Sequence, residues 1–477
     1  MKRAKIIATI GPSSESEKTL LSMIKAGIDV ARLNFSHSTQ EKHLENFKRI
    51  RKMSLMAERP VAVLQDLQGI KIRVGDVKEG AMVMKKGQRI LLKAGTSLTH
   101  EGVVYITYPN LLKDIKPGHR VLFDDGLIEV EVKRRTKEAL EAVVKEGGVL
   151  KSKKGVNLPD SKISLSPFTD KDRDDLDFGL KIGVDYVALS FVMTAREIKN
   201  VKEYMVSKGA SVPVIAKIEK PEALNHIDDI LDESDGIMIA RGDLGVEIPP
   251  EKVPLVQKEL IRKANARGKL VIVATQMLES MKEHTRPTRA EATDVSNAVI
   301  DGADVLMLSV ETSTGLYPVQ SVRMMRRIIE STERHNLWNR IPIEELQKYF
   351  HHSKDLISFA TADSAVKAAE DVGAKCIVAF TSSGFTARLV SKCRPRVPVI
   401  AFTPHEKVYR IMSLYWGVRP FVMRKLDGID EMLLEVESFL INKKIARKND
   451  VVVVVAGSPL MVQGKTNFMK IHVIGKE

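Results

Sequence analysis

The sequence predicts an α/β fold: a (β/α)₈ barrel with an inserted small β-barrel lid domain and a C-terminal open α/β domain. Two observations support the barrel and its lid. Apolar runs of strand length alternate with amphipathic segments of helix length, and one long insert of different character interrupts this alternation. A third, the return of the alternation at the end of the chain, predicts the last domain. The 477 residues exceed what one ordinary core organises, which agrees with several domains.

Eight apolar runs supply the predicted barrel strands. Continuously apolar runs are typical of parallel strands that are buried on both faces, and eight strand–helix units are the number in a (β/α)₈ barrel. The predicted strands are Lys5–Ile10, Ile28–Leu33, Pro60–Asp66, Val184–Phe191, Val214–Ile218, Gly236–Ala240, Leu270–Ala274 and Ala303–Leu308. The clearest helices between them are Ser16–Ala26, Gln40–Met53, Ala195–Lys208 and Pro254–Ala266.

The insert begins after Asp66 and ends near Asp160. Short alternating runs separated by turn dipeptides predict a mainly antiparallel β domain. Because it leaves the barrel from a βα loop, it would cover the mouth where such barrels do their chemistry, as a lid. The expected domains are 1–70 with 161–340 for the barrel, 71–160 for the lid and 341–477 for the C-terminal α/β domain.

The C-terminal region offers a candidate anion site. A helix at Asp355–Ala369 precedes the predicted strands Cys376–Phe380, Pro398–Phe402, Val418–Val422 and Val451–Ala456. Small hydroxyl residues and glycine at a helix start are able to bind phosphate, although an ordinary helix cap explains the same residues. The segment in question is Thr381, Ser382, Ser383, Gly384, Phe385 and Thr386.

Composition excludes several classes of protein. No apolar run approaches the ~18 residues that span a bilayer, and the N-terminus lacks a signal-peptide pattern, so we expect a cytoplasmic protein without a membrane partner. Only Cys376 and Cys393 are present, too few for a disulfide framework or a zinc cluster. The net charge of +14 is dispersed, which favours a solvated surface or the steering of small anions over nucleic-acid binding.

Polar side chains gather where the predicted strands end. Side chains two apart on a strand share a face, so Lys217 and Glu219 project together, and Asp243 closely follows the next strand. Two carboxylates beside an ammonium suit a divalent cation and a phosphorylated substrate, whereas the plainer interpretation is a buried structural ion pair. Other strand ends add the polar residues Arg32, Asn34, Ser36, Asp66 and Thr275, and convergence of them all at one rim is hard to attribute to packing.

At these residues the chain resembles the pyruvate kinase family over essentially its whole length. The matching segments are Ala8–Ser14, Ala31–His37, Ser152–Asp160, Ile215–Leu224, Ala240–Glu247, Ala274–Met281 and Arg286–Val299. The resemblance implies a phosphotransferase of glycolysis that moves the phosphoryl group of phosphoenolpyruvate to ADP, giving ATP and pyruvate. It also implies a homotetramer that a phosphorylated effector regulates through the segment Thr381–Thr386.

Residue roles follow from the same resemblance. Glu219 and Asp243 match the ligands of Mg²⁺ or Mn²⁺, while Lys217 and Arg32 match cations that bind the transferring phosphoryl group. The backbone of Gly242 and Asp243 matches the substrate-carboxylate site, and Thr275 matches a substrate-contacting hydroxyl beside a water chain that delivers the proton. The residues that match nucleotide contacts are Asn34, Phe35, Ser36, His37, Arg73 and Lys154.

One segment departs from the commonest pattern of the family. Many relatives hold K⁺ with residues that match Asn34, Ser36, Asp66 and the carbonyl of Leu67, and they carry an acidic residue where this chain has Lys71. The change resembles the K⁺-independent branch, since a tethered ammonium is able to replace an alkali ion. Neutral drift around an intact K⁺ site is the alternative.

Other functional classes make distinguishable predictions. A magnesium-dependent aldolase on a similar barrel would share Glu219 and Asp243 but would not need Arg73 and Lys154. A nucleic-acid-binding protein would show salt-sensitive binding to an anionic polymer without turnover. A purely regulatory protein would bind sugar phosphates through the last domain and catalyse nothing.

Overall fold

The computed structural model describes residues 2–335, 353–425, 428–458 and 465–475. The expected domain boundary at 340/341 lies outside these residues. In the described part of the chain, no helix combines the length and the hydropathy that crossing a membrane requires.

Eight parallel strands close into a barrel and follow one another around it in chain order, as predicted. The strands are Lys5–Thr9, Val30–Asn34, Ala62–Asp66, Tyr186–Leu189, Val214–Ile218, Gly236–Ala240, Leu270–Ala274 and Val305–Leu308. The α-helices of this domain are Glu17–Ala26, Gln40–Met56, Asp170–Ile182, Ala195–Ser207, Pro221–Asn225, Ile227–Glu233, Arg241–Glu247, Val253–Ala266, Arg289–Asp301, Val310–Ser313 and Pro318–Arg334.

Aspartates at the start of several strands explain why those strands are shorter than predicted. The predicted second, fourth and eighth runs included Asp29, Asp185 and Asp304, which instead precede their strands. Each carboxylate accepts a backbone N–H from a neighbouring strand: Ile6 donates to Asp29, Val63 to Asp185 and Val271 to Asp304, at 2.7–2.9 Å. These buried carboxylates therefore close the N-terminal end of the barrel with paired hydrogen bonds.

The insert forms the predicted β-rich lid. A six-stranded sheet and a two-stranded sheet make up this domain, and isolated bridges from Arg73 to Gly155 and from Val74 to Ile106 join the two edges of the larger sheet. The lid strands are Ala81–Met84, Arg89–Ala94, Val103–Ile106, Arg120–Phe123, Ile128–Arg135, Leu140–Glu146, Gly148–Lys151 and Val156–Asn157, with one short helix at Leu111–Asp114.

In its described residues, the C-terminal domain has a mixed five-stranded sheet. Its strands are Ile377–Phe380, Val399–Thr403, Val418–Val422, Val451–Ala456 and Phe468–Val473, and its helices are Ser353–Asp371, Phe385–Lys392, Glu406–Ile411 and Ile429–Asn442. Four strands were predicted; the last strand, Phe468–Val473, was not, and it pairs antiparallel to Val451–Ala456 at the edge.

This domain packs against the N-terminal end of the barrel. The ammonium of Lys392 and the guanidinium of Arg394 both contact Asp304, at 2.5 and 2.9 Å, and the hydroxyl of Tyr186 donates to the carbonyl of Ile411. The opposite end of the barrel, where the strands finish and the lid emerges, is not covered by the described residues of this domain. In (β/α)₈ barrels that end carries the active site.

Candidate active site

The ends of the third and fifth barrel strands bring three charged groups together. The Nζ atom of Lys217 lies 2.9 Å from Glu219 Oε1 and 3.2 Å from Asp66 Oδ1. Asp66 also accepts from Arg32 Nε at 2.6 Å. Arg32 and Lys217 lie within their strands, as the predicted runs Ile28–Leu33 and Val214–Ile218 had them, so their side chains are held by the barrel itself.

The electrostatics of this cluster keep its charges in place. Burial lowers the pKa of Lys217, but the carboxylates of Asp66 and Glu219 outweigh this effect and leave the pKa above its usual value. Burial raises the pKa of Asp66, but Lys217 and Arg32 reverse it, so the carboxyl is held below its ordinary pKa. Lys217 therefore remains charged, and its ammonium and the guanidinium of Arg32 both contact the one buried carboxylate of Asp66.

Asp243 supplies a third carboxylate, from the neighbouring strand end. It lies in the first turn of the helix Arg241–Glu247, which begins directly after the sixth strand. Burial, and next the charge of Glu219, raises the pKa of Asp243 to about 7. A divalent cation between Glu219 and Asp243 would relieve this repulsion, and carboxylate oxygens are the ligands that Mg²⁺ takes.

No cluster of three metal-ligating side chains occurs in the described ranges. The two carboxylates agree with a site in which substrate and water complete the coordination. The chemistry of the donor set therefore fits a bound Mg²⁺ or Mn²⁺.

Thr275 and Gly242 face one another across two strand ends. The backbone N–H of Gly242 donates to Thr275 Oγ1 at 2.7 Å, and the hydroxyl donates in turn to the carbonyl of Ala274 at 2.6 Å. Thr275 has a positive φ of 68°, and Arg241 donates to its carbonyl at 2.7 Å. Arg241 therefore holds Thr275 in a conformation that a β-branched residue seldom adopts. This conformation places the hydroxyl of Thr275 beside the backbone N–H of Gly242 at the rim.

The lid residues predicted to contact a nucleotide form a separate group. Arg73 donates to the carbonyl of Lys153 at 2.7 Å, and Lys154 lies 2.7 Å from Asp124. A cavity of about 160 Å³ between lid and rim has both Arg73 and Asp243 in its lining. The lid therefore shares a cavity with the end of the barrel that carries Asp243.

The segment Asn34–His37 is arranged by its own hydrogen bonds. The backbone N–H of Ser36 donates to Asn34 Oδ1 at 3.1 Å, the ring of Phe35 stacks on His43 at 4.1 Å, and the carbonyl of His37 contacts His43 Nε2 at 2.9 Å. Burial, followed by the charge of Lys71, lowers the pKa of His37. The histidine therefore stays neutral beside the surrounding cations.

Lys71 points to this segment. Its Nζ lies 3.5 Å from the carbonyl oxygen of Ser36, whereas the described contacts of Asp66 are to Arg32 and Lys217. Burial, and then the charge of Arg73, lowers the pKa of Lys71 to about 8.

The segment Thr381–Thr386 lies apart from these residues, in the C-terminal domain. The N–H of Gly384 donates to Thr381 Oγ1 at 2.9 Å, and the hydroxyls of Thr386 and Thr466 are 2.8 Å apart. Gly384 has a φ of 89° and precedes the helix Phe385–Lys392. The helix start is thus formed as the sequence predicted.

Two side chains that support the site were missed in the sequence. The hydroxyl of Ser190 accepts from Lys217 Nζ and donates to the carbonyl of Leu67, both at 2.7 Å. Thr9 Oγ1 accepts from Arg32 at 2.9 Å. Ser190 follows the fourth strand, but it was hidden because the predicted apolar run extended two residues too far. Thr9 ends the first strand inside the matching segment Ala8–Ser14, where no role was assigned to it.

Comparison with known proteins identifies the family. The family model described as pyruvate kinase, barrel domain, matches residues 1–322, and the one described as pyruvate kinase, alpha/beta domain, matches residues 359–472. The pyruvate kinases of Staphylococcus aureus strains MRSA252 and USA300 are each 41% identical over 479 residues, covering 100% of this chain and 81% of theirs. The crystal structure of a pyruvate kinase from Cryptosporidium parvum superposes with a TM-score of 0.90 at 34% identity, over 99% of this chain and 96% of that one.

Proposed function

This chain belongs to the pyruvate kinase family, and on that premise we propose that Glu219 and Asp243 hold Mg²⁺ while Lys217 and Arg32 receive the phosphoryl group. The chain is a phosphotransferase whose substrates are phosphoenolpyruvate and ADP, and whose products are pyruvate and ATP. The observation that carries the proposal is the buried cluster in which Asp66 pairs with both cations while Glu219 contacts Lys217.

The residues of the rim divide the work. Phosphoryl transfer consists mostly of positioning and charge neutralisation, and Lys217 and Arg32 provide two fixed cations for it. When bound, Mg²⁺ supplies further positive charge to the phosphoryl oxygens. Lys217, fixed by Ser190 and by two carboxylates, also stabilises the enolate that remains after transfer.

The substrate carboxylate is assigned to the backbone N–H groups of Gly242 and Asp243. In the structure the Gly242 N–H is occupied by the hydroxyl of Thr275, so a carboxylate would take over that hydrogen bond and free the hydroxyl. The freed hydroxyl would then order water near the methylene carbon that accepts the proton. An unperturbed hydroxyl is a poor acid, so Thr275 positions the proton donor rather than being one.

The decisive experiment is a coupled assay of pyruvate formation with phosphoenolpyruvate, ADP and Mg²⁺. We expect turnover that requires both ADP and the divalent cation. Cleavage of a carbon–carbon bond in pyruvate adducts, with no pyruvate formed from phosphoenolpyruvate and ADP, would support the aldolase alternative. Binding of an anionic polymer without turnover would support the nucleic-acid alternative.

We further propose that the enzyme runs without K⁺. Lys71 adds a positive charge near Ser36, and the carbonyl of Leu67 already accepts a hydrogen bond from Ser190. Both contacts support a site in which the ammonium replaces an alkali ion. Near-complete loss of activity in potassium-free buffer, with recovery on adding K⁺, would favour the alternative of an intact K⁺ site.

Regulation, assembly and location are proposals that rest on family membership. A phosphorylated metabolite would bind at Thr381–Thr386, where hydroxyls meet the start of the helix Phe385–Lys392. The expected assembly is a homotetramer with closed symmetry, in the cytoplasm. Light scattering on the purified protein tests the assembly, and a screen of sugar phosphates and nucleotides tests the regulation.

A further inference from the structure

A carboxylate at the end of the helix that carries Asp243 joins three parts of the molecule. Glu247 is the last residue of the helix Arg241–Glu247, and its side chain is 1% exposed. Its Oε1 accepts from Lys220 Nζ at 2.6 Å and from Asn157 Nδ2 at 3.0 Å. Lys220 directly follows Glu219, and Asn157 is the last residue of the lid strand Val156–Asn157. One oxygen atom thus links the end of the fifth strand, the helix that carries Asp243, and the lid.

Other contacts place this junction at the edge of the catalytic cavity. Lys220 and Asn157 line the same 160 Å³ cavity as Asp243 and the nucleotide-contact candidate Arg73. A Cβ on Gly126, in a lid turn, would lie 3.5 Å from Val246 Cγ1, so the lid also packs against the residue next to Glu247. The lid therefore meets the barrel at the C-terminal end of this helix.

The two partners of Glu247 suit a contact that forms and breaks. Lys220 and Glu247 both belong to the barrel, so their buried ion pair persists whether or not the lid is engaged. Asn157 contributes a neutral amide. Replacing this amide donor on the carboxylate by water costs much less free energy than separating a buried ion pair. Opening the lid at this point leaves no unpaired charge behind.

We propose that Glu247 is a positioning residue that latches the lid through Asn157, holding Arg73 and Lys154 over the rim while ADP is bound. This inference rests on the proposed function, which assigns the nucleotide contacts to the lid. Loss of the latch lowers the population of the engaged lid and so weakens the binding of ADP. The binding of phosphoenolpyruvate, which is held by the barrel rim, is unaffected.

The first test is Asn157→Ala in the full-length protein. We expect KM for ADP to rise about tenfold, the effect of losing one hydrogen bond to a charged group. Binding of phosphoenolpyruvate with Mg²⁺ in the absence of nucleotide, measured by calorimetry, should match wild type, and so should the melting temperature. Asn442→Ala is the matched control, because it removes a surface amide from a helix of the C-terminal domain. An unchanged KM for ADP in Asn157→Ala overturns the proposal.

The second test exchanges the chemistry of the two partners. Asn157→Asp places a carboxylate against Glu247 and should raise KM for ADP further than Ala does. Adding Glu247→Gln to Asn157→Asp restores an amide facing a carboxylate, with Lys220 beside both, and should return KM for ADP to near wild type. A merely structural role predicts that the effects of Asn157→Asp and of Glu247→Gln on KM for ADP add in the double variant. Additive effects therefore overturn the latch.

The two proposals fail in different ways. If the wild-type enzyme forms no pyruvate from phosphoenolpyruvate and ADP, the proposed function is wrong. If the wild type is active but Asn157→Ala leaves KM for ADP unchanged, or the double variant shows additive losses, only the latch is wrong.

Discussion

Replacing Lys217 by Met tests the centre of the site most directly. The apolar stem survives, while the ammonium and its contacts with Asp66, Glu219 and Ser190 are lost. Neither carboxylate is left without a partner: Asp66 keeps Arg32 at 2.6 Å, and Glu219 keeps the backbone N–H of Phe191 at 2.8 Å. We therefore expect a loss of stability of about 2 kcal/mol, below the roughly 3–5 kcal/mol for stranding a buried charge.

The effect of Lys217→Met on turnover should be far larger than its effect on folding. Losing a preorganised cation that acts on the transition state should lower kcat by ~10³ or more. This factor corresponds to a rise of about 4 kcal/mol in the activation free energy. Binding of Mn²⁺ should not weaken, because the variant removes a positive charge from beside Glu219. A protein that is folded, binds metal and is inactive is thus the expected outcome.

Steady-state kinetics, thermal melts and Mn²⁺ titration of the same preparation separate these effects. Lys5→Met is the matched control, since Lys5 is a buried lysine on a barrel strand whose ammonium donates to Val418 O at the other end of the barrel. It should lose stability and keep kcat. If Lys217→Met raised KM and left kcat intact, Lys217 would bind ground state and transition state equally, and the reasoning would be refuted.

Three further changes probe the rest of the proposal. Glu219→Ala or Asp243→Ala should abolish turnover with an unchanged circular dichroism spectrum, and near wild-type kcat in either variant contradicts the metal assignment. Because the charged form of Lys71 exists below its pKa of about 8, kcat/KM in potassium-free buffer should fall as pH rises through 8. Lys71→Glu with Leu67→Thr should give a poor enzyme that K⁺ rescues; a flat pH profile and no rescue would argue against the ammonium. Ser383→Glu should erase activation by a phosphorylated metabolite and preserve basal turnover, and activation that survives the change removes the effector assignment.

Local patterns were sufficient for the eight barrel strands, for the β-rich insert and for the pairing of Lys217 with Glu219. The apolar runs predicted the eight barrel strands because a strand buried on both faces must be apolar throughout. Turn dipeptides predicted the β-rich insert, and the spacing of two predicted the shared face of Lys217 and Glu219, whose charged atoms lie 2.9 Å apart. Each of these features depends on residues that are close together in the chain, so the sequence by itself determined them.

Tertiary structure alone decided which distant side chains support the charged centre. Ser190 contacts Lys217 because parallel pairing sets the ends of the fourth and fifth strands side by side. Asn157 reaches Glu247 across 90 positions of sequence because the lid folds back onto the rim. A serine at the end of an apolar run and an asparagine in a short strand are common in any sequence. Their roles follow from the strand order and from how the lid lies on the barrel, and no local periodicity encodes these arrangements.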